Sequence, residues 1–132
     1  MADVNRGNRP LSPHIEIYRP QWTSVSSILV RITGIASLGT ALIIVVWLLM
    51  AATSEGAFQA ANWWMQSWLG KLVLLAATWA IFYHTLGRLR HVIWDFGYCL
   101  EVAISEQMAK GMFALATILT LIVAIFFLGV AP

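Results

Sequence analysis

Lysine, arginine, aspartate and glutamate are missing from three long stretches of this chain, and each is about as long as a membrane is thick. Ile32–Ser54 lies between Arg31 and Glu55, with Ile43-Ile44-Val45-Val46-Trp47-Leu48-Leu49-Met50 at its centre. Leu72–Gly87 lies between Lys71 and Arg88 and reaches spanning length when taken as Trp68–Leu89. After Lys110 the tail from Gly111 to Pro132 carries no such residue. About 20 apolar residues in a helix cross a hydrocarbon core of about 30 Å, and a helix pairs its backbone groups where no water can. The pattern therefore predicts an all-α integral membrane protein. Its three transmembrane helices are expected over about 24–52, 66–92 and 108–130, within an anchor of residues 23–132 that follows a segment 1–22.

Composition agrees with the pattern. Sixty per cent of the 132 residues are apolar and 11% are charged, against about 25% charged in a soluble domain. The net charge is only +2, so the distribution of charge is more telling than its sum. Arg6, Arg9, Arg19 and Arg31 precede or open the first span, and Arg88, Arg90 and Lys110 flank the second and third at the same end. The connection from Thr53 to Gly70 has no lysine or arginine. The positive-inside rule then places the N-terminus in the cytoplasm and the C-terminus outside. Trp63, Trp64 and Trp68 mark the outer interface, and Trp22 and Trp94 the inner one. The polar first 22 residues lack the apolar core of a signal peptide, and the chain reads as a bacterial inner-membrane protein. Ile93–Ala109 reads as a polar cytoplasmic connector. No basic cluster is longer than Arg88-Leu89-Arg90, which excludes nucleic acid as a partner.

Candidate chemistry centres on His84, an ionisable group within a span and so a functional-site candidate. His91, seven residues on, shares its helix face. At 1.5 Å per residue the two lie about 10 Å apart along the axis. One metal needs its nitrogens about 4 Å apart, given bonds near 2 Å, so the two cannot ligate the same ion. His84 lies about 6 Å inside Arg88, whereas His91 falls at the interface. The neutral imidazole of His84, in apolar surroundings, suits an axial ligand of a b-type haem, or equally a hydrogen bond to a neighbouring helix. Arg31, Arg88 and Arg90 fall at one membrane level and would suit haem carboxylates. Ser27 and Arg31, four apart on the first span, would suit quinone oxygens, or equally a helix start and a snorkelling arginine. Thr33, Ser37 and Ala41 form a small-residue face for close helix packing. Cys99, the only cysteine, can form neither an internal disulfide nor an iron–sulfur cluster, and no glycine motif for flavin is present.

Three motifs go further. Arg9-Pro10-Leu11-Ser12-Pro13-His14-Ile15-Glu16-Ile17-Tyr18, Ser27-Ile28-Leu29-Val30-Arg31-Ile32-Thr33-Gly34, and His84 through Arg90-His91 to Asp95 together resemble the succinate dehydrogenase cytochrome b556 subunit family. The resemblance covers nearly the whole chain. It implies a membrane anchor of respiratory complex II, half of a helical bundle completed by a second anchor subunit, with an iron–sulfur subunit and a flavoprotein as further partners. It also implies His84 as axial ligand of a haem b shared with that second anchor. Ser27 and Arg31 match the ubiquinone-site residues, Arg31 also lying towards a haem propionate. Two positions depart from the family pattern. Val30 stands where histidine often precedes the arginine, and Gly87-Arg88 stands where the glycine usually falls one place later. Remaining alternatives are a fumarate reductase anchor and, in a different class, a haem-free scaffold or transporter. Transport is disfavoured because the spans lack the acidic residues that proton-coupled carriers use.

Overall fold

The computed structural model describes residues 18–130, with side chains as far as Phe126. The expectations placed on residues 1–17, including the motif from Arg9 to Ile17, lie outside the described residues. Four helices follow in order: α1 (Trp22–Thr53), α2 (Glu55–Gln66), α3 (Trp68–Asp95) and α4 (Val102–Val130). Among the described residues α1, α3 and α4 are long and apolar enough to cross a membrane. The three expected spans are present, and the protein is an all-α multi-pass membrane protein.

The hydroxyl groups show how such helices tolerate polar residues. Thr33 donates to the Leu29 carbonyl at 2.7 Å, Ser37 to Thr33 at 2.8 Å, Thr85 to Ile81 at 2.8 Å and Thr120 to Ala116 at 2.8 Å. Each hydroxyl is satisfied one turn back along its own helix, so it enters the apolar phase without an orphaned donor.

The connection Thr53–Gly70, read from sequence only as a linker without lysine or arginine, contains α2. Ser54 breaks α1 in an extended conformation, and its side chain accepts from the Ala57 amide at 3.2 Å to start α2. Ser67 repeats the device, accepting from Gly70 N at 3.1 Å to start α3. Such caps satisfy amides that have no partner in a helix's first turn. α2 is held against α1 by Trp47, which donates from Nε1 to Asn62 Oδ1 at 3.0 Å and meets the Phe58 ring at 5.7 Å. The corner is tight: a Cβ on Gly70 would run into the Trp64 carbonyl oxygen.

At the other end, the start of α1, the end of α3 and the start of α4 come together. The core there comprises Val30, Tyr83, Met112 and Ala116. Trp79 stacks on Tyr83 at 5.0 Å and donates from Nε1 to Thr117 Oγ1 at 3.1 Å, joining α3 to α4. The polar connector expected over Ile93–Ala109 is instead a short turn between Asp95 and Val102, with left-handed backbone at Gly97 (φ 80°) and Cys99 (φ 60°). Ser105 and Ala109 belong to α4 and are buried. They continue through Met112, Ala116 and Thr120 as one stripe, with spacings of four, three, four and four, that faces the other helices. The charged Glu106 and Lys110 beside that stripe made the segment look like a loop.

α1 and α3 cross closely enough to need glycine twice. A Cβ on Gly87 would collide with the Val30 side chain, and one on Gly34 would come within 2.8 Å of His84 Cε1. The small-residue face of α1 is buried at Thr33, partly covered at Ser37 and exposed at Ala41, so the close contact ends there. Gly87→Ala is expected to cost about 2 kcal/mol, typical of an overpacked core, seen as a lower thermal midpoint in detergent. Val30→Ala in the same chain should recover most of that loss; additive destabilisation by the pair would refute the collision.

Candidate functional site

An open groove of about 530 Å³ runs along the α1–α3 crossing, lined by Ser27, Val30, Arg31, Gly34, Ile35, Leu38, His84, Arg88 and His91. The three residues singled out from sequence, Ser27, Arg31 and His84, thus share one cavity. Its size is within the range that holds cofactors and small ligands. Ser27, Arg31 and Arg88 are exposed, while His84 is partly buried. Helical spacing explains the convergence: Ser27, Arg31, Ile35 and Leu38 succeed one another along one stripe of α1, and His84, Arg88 and His91 along one stripe of α3.

Both ring nitrogens of His84 are engaged. Nδ1 lies 2.9 Å from the Val30 carbonyl oxygen on α1, and Nε2 accepts from Arg88 Nε at 3.2 Å. A carbonyl only accepts and a guanidinium only donates, so Nδ1 carries the proton and Nε2 offers its lone pair towards the groove. A second-helix carbonyl on one nitrogen, leaving the other free to ligate, is the arrangement that orients metal-binding histidines. The residues present therefore fit an axial haem ligand. No group of three His, Cys, Asp or Glu side chains capable of holding a metal occurs among the described residues.

His91, placed at the interface by sequence, lines the groove as well, its Nδ1 2.7 Å from the Gly87 carbonyl oxygen. Its seven-residue spacing from His84 was the available signal. Val30 fills the space that Gly87 leaves open.

One expectation fails. Arg90 does not cluster with Arg31 and Arg88 but is 4% exposed, buried among α1, α3 and α4. It donates from Nη1 to Ser26 Oγ at 2.7 Å and lies 4.1 Å from the centre of the Trp94 ring, while its Nε has no partner among the described residues. Two residues along a helix correspond to about 200° of rotation, so Arg88 and Arg90 must point to opposite sides. Trp94 is correspondingly occupied by Arg90 and by the Cys99 carbonyl, to which it donates at 3.2 Å. Serine behaves likewise: Ser26 faces the bundle and Ser27 the groove.

Fold and groove together define a class: a multi-pass helical membrane subunit whose polar site opens sideways near one end of its spans. The chain belongs to the family described as the succinate dehydrogenase/fumarate reductase transmembrane subunit, which matches residues 5–125. It is similar to the succinate dehydrogenase cytochrome b556 subunit of Paracoccus denitrificans, with 44% identity over 127 residues covering 96% of this chain and 98% of that protein. It is also similar to the cytochrome b556 subunit of Rickettsia conorii, at 38% over 71% of this chain and 73% of the relative. The cytochrome b560 subunit of Reclinomonas americana is 36% identical over 91% of this chain and 87% of its own length.

Proposed function

We propose that this chain is the haem- and quinone-binding anchor of a succinate:quinone oxidoreductase in a bacterial cytoplasmic membrane. Residues 1–22 are on the cytoplasmic side, residues 23–132 form the anchor, and the C-terminus lies outside. The partners are a second anchor subunit, an iron–sulfur subunit and a flavoprotein. The supporting observation is the single groove that holds His84, with an oriented lone pair, beside Ser27 and Arg31. The cytochrome b subunits of succinate dehydrogenase among its relatives favour that direction over fumarate reduction.

His84 would hold haem b through Nε2, together with a residue of the second anchor. When bound, haem would supply one-electron storage. The Val30 carbonyl keeps the imidazole in its ligating tautomer. Ser27 and Arg31 make no hydrogen bond among the described residues, so the hydroxyl and guanidinium are available to donate to ubiquinone oxygens. Arg31 stabilises the negative charge that develops on those oxygens as electrons arrive from the iron–sulfur subunit. Succinate itself is handled elsewhere.

Lateral access suits a substrate whose tail stays in lipid. Ile35 is 75% and Leu38 64% exposed at the lip of the groove, and none of the most apolar stretch of α1 is buried. These faces await lipid and the second anchor's helices. A purified complex reduced with succinate is expected to show the low-spin b-type band in a reduced-minus-oxidised spectrum. Full quinone reductase activity with no such band would remove haem from the assignment.

A further inference from the structure

Arg88 sits on the atom that iron would need. Arginine stays protonated at any pH a folded protein meets, so its Nε can only donate. Its 3.2 Å approach to His84 Nε2 therefore requires the imidazole lone pair at that nitrogen. The ring proton is then on Nδ1, facing the Val30 carbonyl at 2.9 Å. Two contacts with partners of fixed role select one tautomer.

The same lone pair cannot accept a hydrogen bond and bind a metal at once, so one group must move when haem enters. The imidazole is the less mobile of the two. It is seated against α1 so closely that a Cβ on Gly34 would lie 2.8 Å from its Cε1, and its Nδ1 is tied to the neighbouring helix. Arg88 is exposed, lines the groove and, among the described residues, makes its one hydrogen bond to this ring. It can leave without disturbing the core.

We propose that Arg88 is a placeholder for the iron: in the haem-free chain it holds His84 in the ligating tautomer and covers Nε2, and it is displaced as haem loads. This role rests on His84 being the axial ligand, so both are tested together. The complex would be assembled under haem limitation with ring-nitrogen-15 histidine, then studied by nitrogen NMR and by mixing with excess haem. The wild-type His84 signals should show a protonated Nδ1 and a hydrogen-bonded, unprotonated Nε2. In Arg88→Leu the Nε2 signal should shift towards that of a free lone pair, and haem should load about tenfold faster, equal to about 1.4 kcal/mol off the loading barrier. Arg88→Gln, which is shorter and uncharged, serves if the leucine variant assembles poorly and should also load faster. Unchanged nitrogen signals together with unchanged or slower loading in these variants would overturn the placeholder role. His84→Ala separates the two ideas. If it still takes up haem with a normal low-spin spectrum, the axial assignment fails, whereas the wild-type and Arg88→Leu nitrogen spectra still decide whether Arg88 covers Nε2.

Discussion

A complex carrying His84→Ala is expected to lose its low-spin b-type absorption while keeping its flavin and iron–sulfur subunits. The imidazole presents its Nε2 lone pair towards the cavity, because Nδ1 is committed to the Val30 carbonyl. His91 cannot substitute, since it lies about 10 Å further along the same helix. Alanine also leaves the α1–α3 crossing intact, because it removes bulk beside Gly34 rather than adding it. The check is a reduced-minus-oxidised spectrum per mole of flavin. A low-spin band of wild-type intensity in the variant would rule out His84 as the ligand.

The second large effect concerns Arg31. Arg31→Leu is expected to lower quinone reduction by roughly a hundredfold, the scale on which removing one preorganised donor to a developing oxyanion acts. Succinate oxidation measured with a soluble dye should remain near wild type, because electrons then leave before reaching the membrane site. The guanidinium is exposed at the groove and supports no other contact among the described residues, so leucine should not disturb the fold. Equal loss of both activities would point to failed assembly and count against a quinone-site role. Ser27→Ala should show the same split more weakly, since it removes one neutral donor.

The membrane class and the three spans were legible because charge gaps are properties of the chain alone, whereas bringing Ser27 and Arg31 together with His84 needed the family resemblance, since spacing along one helix does not say which helices meet. What escaped depended on tertiary partners. α2 is a 12-residue helix with one charged residue, and it exists because two serines cap the corners around it and Trp47 gives Asn62 a partner. The early start of α4 was hidden because small residues at Ser105 and Ala109 bear no apolar signature until a neighbouring helix covers them. Arg90 is the sharper lesson. Helical rotation alone separates it from Arg88, but which of the two enters the bundle depends on α4, whose Met112 sulfur lies 3.9 Å from the buried guanidinium.

Among the described residues only α1 and α3 wall the groove; α4 contributes none of its lining residues. On the haem reading, a solitary copy of this chain offers half a seat, from which the pigment should drain into the surrounding lipid. Colour then becomes a tally of completed partnerships. The ratio of haem to this polypeptide in a membrane extract would register how many copies have found their mate, independently of turnover, and unpartnered copies would be pale.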